Sequence, residues 1–115
     1  MKIIKTTNKI SLEELKQMAE KMFGGLVKAV VDIESGIMVV NAELHADEEA
    51  LLLENNSAQK DLWGINIYPE ILDENWIEFN SMINLRPSQE NRSRGVDDLE
   101  IQKKIIAIVN NLIIK

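Results

Sequence analysis

The sequence predicts an α+β fold, a two-layer sandwich in which a four-stranded antiparallel sheet carries helices on one face. Helical and strand periodicities alternate along 115 residues with short connections, which favours antiparallel neighbours. A hydrophobic fraction of 45% with 28% charged residues is typical of a globular chain rather than a disordered one. Because no repeat, low-complexity tract or linker interrupts the order, we expect one domain over residues 1–115.

The first predicted element is a helix over residues 12–23. Ser11 and Glu14 form a capping box, in which each side chain satisfies a free amide at the helix start. Gly24 and Gly25 supply the residues that end a helix. The apolar positions that recur at helical spacing are Leu12, Leu15, Met18, Ala19 and Met22.

A β-hairpin is predicted next, from two runs rich in Val and Ile at residues 26–34 and 37–45. The turn residues Glu34-Ser35-Gly36 join them. Residues 47–56 are open to two interpretations. Three acids before a leucine run suit the start of a short helix, whereas three adjacent leucines also suit a buried strand.

Two further strands and a terminal helix complete the predicted order. Residues 61–68 form the third strand, which Pro69 closes. Residues 76–85 form the fourth, because apolar and polar residues alternate along it. The predicted apolar face is Ile77, Phe79, Ile83 and Leu85, and the polar face is Glu78, Asn80, Asn84 and Arg86. A polar loop over residues 86–95 leads to a helix over residues 98–113, which has an apolar stripe.

Composition excludes several classes of function. The absence of cysteine removes disulfides, thiolate metal sites and cysteine nucleophiles. No run approaches the 20 or so apolar residues of a membrane span, and the first ten residues lack a signal-peptide core. We therefore expect a cytoplasmic protein with no membrane partner. A net charge of −6 makes nucleic-acid binding unlikely, because that binding depends on cations that neutralise phosphates.

Three stretches resemble an uncharacterised family of short bacterial proteins. They are ELHADEEALLLENNS at 43–57, DLWGINIYPE at 61–70 and MINLRPSQENRSRGV at 82–96. The resemblance runs from about residue 10 to residue 109 and implies no activity, cofactor or catalytic residue. Glycine is usual in that pattern where this chain has Asn56 and Glu90. Asn replaces Gly readily in a left-handed turn, whereas Glu does so only at a cost.

The first candidate site is a loop that holds all three arginines of the protein. Arg86, Arg92 and Arg94 stand among short hydrogen-bonding residues that include Ser88 and Asn91. Arginine is suited to carboxylates and phosphates because its planar fork forms two hydrogen bonds at once. The loop is therefore a candidate site for an anion or an acidic partner. The favoured interpretation is that the arginines pair with the protein's own acids or carbonyls.

The second candidate site lies on the polar face of the predicted sheet. Its residues are Glu43, His45, Tyr68, Glu78 and Asn80. For Glu43 and His45 a solvated sheet face is the favoured interpretation, whereas amphipathic aromatics beside amides favour an interface for the face as a whole. Because one histidine without cysteine is a poor set of transition-metal ligands, we expect no metal site and no cofactor.

Two functions follow from these sites. The favoured one is a non-catalytic binding module, a homodimer through the polar sheet face, whose arginine loop receives an anionic ligand or an acidic protein partner. The alternative is a small hydrolase or phosphate-ester enzyme in which the arginines hold the anion. There His45 would move protons with Glu43 or Glu78. No residue is identified as catalytic.

Overall fold

The chain folds into a five-stranded antiparallel sheet flanked by three helices. The structure, a computed structural model, describes residues 1–22 and 24–115, and all counts of elements refer to these residues. In chain order the elements are β1 Lys2–Ile4, β2 Ile10–Ser11, α1 Leu12–Glu20, β3 Val27–Asp32, β4 Ile37–Val40, α2 His45–Glu54, β5 Leu62–Ile67, β6 Ile77–Glu78, α3 Leu99–Leu112 and β7 Ile113–Ile114.

The sheet has the strand order β1-β4-β3-β5-β6, and every neighbouring pair is antiparallel. A separate parallel pair joins β2 to β7. The predicted α+β class and antiparallel sheet are confirmed, but the sheet has five strands instead of four. The prediction missed β1 because that strand is only three residues long and begins with Lys2.

Helices α1 and α3 pack on one face of the sheet, as predicted. Leu15 of α1 and Ile105 and Val109 of α3 share a buried core with Ala29 and Ile65 of the sheet. The capping box is half formed, since Ser11 Oγ accepts from the Glu14 amide at 3.0 Å while the Glu14 carboxylate binds Lys2. Helix α1 ends at Glu20 rather than at the predicted residue 23, which lies outside the described residues.

Helix α2 packs on the opposite face of the sheet, so the predicted arrangement with helices on one face is wrong and the two-layer sandwich is not confirmed. Leu52 of α2 is buried against Val30, Val39 and Leu62. These strand residues alternate with those that face α1 and α3. The leucine run at 51–53 therefore lies in a helix, which settles the two interpretations of residues 47–56.

The second strand of the predicted hairpin is shorter than expected. Strand β4 ends at Val40, because Asn41 adopts a left-handed conformation with φ of 71°. His45 then begins α2. Glu43 and His45 were predicted to lie on a strand of the polar sheet face, and this placement is wrong: one precedes the helix and the other starts it.

The predicted fourth strand over residues 76–85 is also wrong beyond Glu78. Ser81 Oγ accepts from the Ile83 amide, which starts a 3-10 turn at Met82–Asn84 and takes the chain off the sheet. The turn reverses the predicted alternation, because Asn84 is now buried whereas Leu85 is 38% exposed.

Candidate functional site

Arg86 is buried and fastens the loop to strand β5. Its Nε donates to the Ile83 carbonyl at 2.9 Å, and its Nη1 donates to the Gln59 carbonyl at 2.8 Å. Its Nη2 donates to the Leu62 carbonyl. The guanidinium carbon lies 4.6 Å from the centre of the Trp63 ring, a cation–π contact. With its donors directed at carbonyls, Arg86 holds the fold together and is not open to an external anion.

Asn91 organises the rest of the loop from inside. Its Nδ2 donates to the carbonyls of Asn84 and Gly95 at 2.8 and 2.9 Å, and its Oδ1 accepts from the Asp97 amide at 2.8 Å. Asp97 in turn accepts from the Arg92 amide at 3.0 Å. Hydrogen bonds from Ser93 and from the Arg92 backbone lower the pKa of Asp97. Asn91 is thus a structural residue of the loop.

The remaining predicted loop residues lie at the surface. Ser88, Arg92 and Arg94 are exposed. The two ion pairs among residues 1–22 and 24–115 join lysines to glutamates, so no arginine there is paired with an acid. Arg94 differs from Arg92 because it lines a cleft.

The cleft lies between the start of α2, strands β3 and β5, and the segment that follows β6. Its volume is about 240 Å³. It is lined by Lys28, Leu44, His45, Ala46, Asn66, Asn80, Ser81, Met82, Ile83 and Arg94. The structure therefore brings together His45 and Asn80 of the second predicted site with Arg94 of the first. We refer to it below as the His45 cleft.

His45 is the most enclosed titratable group of this cleft. Its side chain is 9% exposed, and its Nε2 lies 2.7 Å from the Ile65 carbonyl. Burial lowers the pKa of His45 below its usual value, and the positive charges of Lys28 and Arg94 lower it further, against the effect of the Ile65 carbonyl. The imidazole is therefore neutral at pH 7.

Positive charge reaches the cleft from three sources. Arg94 borders it on one side, and Lys28 borders it on another while its Nζ donates to the Glu43 carbonyl at 2.9 Å. The N-terminus of α2 is the third, since Leu44 offers no side-chain acceptor to the first amides of this ten-residue helix, although Asp47 places a negative charge in the same turn. This charge is concentrated in a chain whose net charge is −6.

The other residues of the second predicted site stay outside the cleft lining. Glu78 accepts from Asn66 Nδ2 at 2.8 Å and from the Tyr68 hydroxyl at 3.3 Å. Partial burial and the Glu78 charge raise the pKa of Tyr68. The side chain of Glu43 is exposed, and only its carbonyl approaches the site, through Lys28. Neither Glu43 nor Glu78 forms a hydrogen bond with His45 in the part of the chain that the structure describes.

The match to known proteins is to a family model, described as "Protein of unknown function (DUF5674)", over residues 2–112. The chain belongs to this family. The match confirms the predicted resemblance to an uncharacterised family, and it brings no activity with it. No curated protein and no solved structure matches the chain.

Two positions at which the resemblance implied glycine have the backbone that glycine favours. Asn56 has φ of 75° and Glu90 has φ of 62°, both in the left-handed region. Asn56 follows α2, where such a residue commonly ends a helix. Glu90 lies in the loop between Arg86 and Asn91, whose backbone groups pair with each other. This chain therefore carries a strained glutamate in the arginine loop.

Lys28 and Asn66 line the His45 cleft, although the sequence did not single them out as site residues. Both lie on the polar phase of their strands, opposite each other in the β3–β5 register. The sequence signal for these two residues is a lysine and an amide opposite each other on paired strands. It could not be used because the strand register is known only from the structure.

No cluster of three or more His, Asp or Glu able to hold a metal occurs among residues 1–22 and 24–115. No helix in those ranges is long and apolar enough to cross a membrane.

Proposed function

We propose that this protein is a non-catalytic binding module whose ligand is a small anion held in the His45 cleft. The single observation that carries the proposal is the convergence of Arg94, Lys28 and the uncapped start of α2 on one cleft. Helix N-termini and arginine forks both favour anions. The net charge of −6 repels anions from the protein as a whole, but the positive charge concentrated at this cleft attracts them locally.

The electrostatics of His45 support this proposal. Lys28 and Arg94 both lower the pKa of the imidazole, so the fields of both cations act inside the cleft. Arg94 forms no ion pair with an acid among the described residues, which leaves its fork open to a ligand. Arg86 and Asn91, by contrast, are occupied by the backbone of the protein itself.

The hydrolase alternative is favoured by one observation, a neutral histidine beside two cations. A general base of this kind usually has a carboxylate that orients it. His45 is oriented by the Ile65 carbonyl instead, and neither Glu43 nor Glu78 bonds to it among the described residues. Binding without catalysis therefore fits the geometry better. Hydrolysis of a chromogenic phosphate or carboxylate ester that is lost in an Arg94→Gln variant would reverse this preference.

A cytoplasmic location and a homodimer also belong to the proposal. Helix α2 covers part of the face through which the dimer was expected, so the open remainder is the strip around Tyr68, Glu78 and Met82. Analytical ultracentrifugation of the wild type and of a Met82→Lys variant tests the dimer. We expect the wild type to sediment as a dimer and the variant as a monomer.

Thermal unfolding in sulfate and in chloride at matched ionic strength tests anion binding. Sulfate stabilises proteins in general, so the informative quantity is the difference between variants. Sulfate at about ten times its Kd stabilises the native state by about 1.4 kcal/mol, or roughly 4–8 °C. We expect Arg94→Gln to lose this gain and the matched surface variant Arg92→Gln to keep it. Equal gains in all three proteins would overturn the proposal.

A further inference from the structure

The two nitrogens of His45 have different roles. A carbonyl oxygen only accepts hydrogen bonds, so the 2.7 Å contact with Ile65 places the proton of the neutral ring on Nε2. Nδ1 therefore carries a lone pair. The ring's other neighbour is the Asn66 side chain, whose hydrogen bond raises the pKa of His45 and therefore offers an acceptor rather than a donor for Nδ1. His45 is 9% exposed and lines the cleft. The cleft thus contains an unused acceptor among groups that attract anions.

An acceptor cannot contact an anionic oxygen favourably, because both atoms are electron-rich. Protonation of Nδ1 would remove the conflict, but burial and the charges of Lys28 and Arg94 lower the pKa of His45, so an anion that binds by protonating the ring must offset these effects. A ligand satisfies the whole cleft only if it presents an anionic group to the cations and a hydrogen-bond donor to Nδ1. An acceptor left empty by the bound ligand would cost affinity.

The size and lining of the cleft narrow the ligand further. A volume of about 240 Å³ is smaller than the 300–1,000 Å³ or so of a drug-sized pocket. Leu44 and Met82, which are 56% and 63% exposed, line the same cleft and suit a short apolar substituent. Because Lys28 already donates to the Glu43 carbonyl, Arg94 supplies the open fork, which matches the two oxygens of one carboxylate.

We propose that the cleft binds a small carboxylate with a hydroxyl or N–H group on the adjacent carbon, which donates to Nδ1 of His45. Free 2-hydroxy acids and the C-terminal residue of a polypeptide share this chemistry. The inference rests on the proposed function, because the carboxylate binds the same cations, Arg94 and Lys28. It adds the requirement that the ligand donates a hydrogen bond to His45.

Three acids of similar size separate the possibilities. Propanoate has no donor, lactate adds a hydroxyl, and N-acetylalanine represents a polypeptide C-terminus. Their Kd values are measured by NMR titration of the ¹⁵N-labelled protein. In the wild type we expect lactate, N-acetylalanine or both to bind about fivefold more tightly than propanoate, the equivalent of about 1 kcal/mol for one hydrogen bond. Whichever acid gains identifies the source of the donor.

The decisive variant is His45→Gln. A glutamine amide can place its N–H near the position of Nε2 and keep the contact with Ile65, but it has no counterpart of Nδ1. We expect the affinity for the donor-bearing acid to fall to that for propanoate, whereas Arg92→Gln keeps the wild-type ratio. Equal affinities of the wild type for all three acids, with loss in Arg94→Gln, would overturn the inference and leave anion binding standing. No binding of any acid to the wild type would also overturn the inference, whereas the proposed function itself is overturned by equal sulfate gains in the wild type and the two arginine variants.

A second measurement avoids the variant, in case His45→Gln fails to fold. The ¹⁵N resonance of Nδ1 in the histidine-labelled wild type moves upfield when its lone pair accepts a hydrogen bond. We expect lactate or N-acetylalanine to cause this change and propanoate not to. An Nδ1 resonance that all bound acids leave in place contradicts the inference.

Discussion

The side chain of Asn84 hydrogen-bonds both backbone groups of Gly64, accepting from its N–H at 2.8 Å and donating to its carbonyl at 3.0 Å. It thereby replaces a neighbouring strand at the centre of β5, where β6 has already ended. Gly64 permits this approach, because a Cβ there would lie 2.6 Å from the Cβ of Ser81. Asn84 Nδ2 also donates to the carbonyl of Arg94 at 3.0 Å, so the same side chain links β5 to the arginine loop.

We expect Asn84→Ala to destabilise the protein by about 2–4 kcal/mol. The substitution leaves the buried N–H and carbonyl of Gly64 without partners, and each costs about 1–3 kcal/mol. Urea denaturation followed by circular dichroism measures the loss. Asn111→Ala, on the exposed side of α3, is the control and should change stability by no more than about 0.5 kcal/mol. A loss below about 1 kcal/mol for Asn84→Ala would contradict this role.

Arg86→Lys should also lower stability by about 2–4 kcal/mol while leaving anion binding unchanged. A single ammonium cannot serve the carbonyls of Gln59, Leu62 and Ile83 together, so buried acceptors lose their donors. Chemical denaturation measures the change, and the exposed Arg92→Lys provides the matched control. A stable Arg86→Lys protein that has lost sulfate binding would instead place Arg86 in the ligand site.

Helices α1 and α3 could be predicted because their signals are local. The capping residue Ser11 precedes an apolar stripe, and Asp98 likewise accepts from the Glu100 amide at 2.8 Å at the start of α3. The third predicted strand is also confirmed, since Leu62, Trp63, Ile65 and Ile67 dominate β5 and all its residues are buried. The face on which α2 packs was not predictable, because the choice depends on how strands pair rather than on the helix itself.

The site could be predicted only in pieces, for the same reason. His45 and Arg94 were both singled out by residue type, but they are separated by 49 positions, and only the fold brings them to one cleft. The failed alternation after Glu78 has a specific cause. The alternation of apolar and polar residues predicts that Asn84 lies on a solvent-exposed strand face. Its side chain is instead buried and forms the two hydrogen bonds with Gly64 that the backbone of a neighbouring strand would form.

The corrected position of Leu85 leads to a further prediction. The side chain is 38% exposed, so Leu85→Asp should cost less than about 1 kcal/mol. Ile65→Asp, in the fully buried centre of β5, should prevent folding, because it places an unpaired charge in the core. Circular dichroism and thermal denaturation of the two variants make the comparison. If Leu85→Asp unfolded the protein, the result would support the original prediction of a fourth strand over residues 76–85 with Leu85 on its apolar face.

Glu48 is a buried carboxyl group in the first turn of α2. Its Oε2 accepts from the Ala42 amide at 3.2 Å, and its Oε1 has no partner among the described residues. Burial raises the pKa of Glu48 to about 9, against the opposing effects of the Ala42 amide and Lys28. The group is therefore protonated in the folded protein at neutral pH and ionised in the unfolded chain.

This difference predicts that stability falls as pH rises between 4.5, the ordinary value, and about 9, the value in the folded protein. In that window the folded state holds a proton that the unfolded state lacks, so the slope from this group is at most about −1.4 kcal/mol per pH unit. Glutamine needs no proton, so Glu48→Gln should flatten the slope and be more stable than the wild type, increasingly so toward pH 9.

Urea denaturation between pH 7 and pH 9 measures the contribution of Glu48. The pKa of His45 is lowered from 6.5, so the effect of His45 on stability is confined to pH values below that range. The exposed Glu54→Gln on the same helix should shift stability by the same amount at every pH. A wild-type slope that persists unchanged in Glu48→Gln would show that Glu48 is ionised in the folded protein.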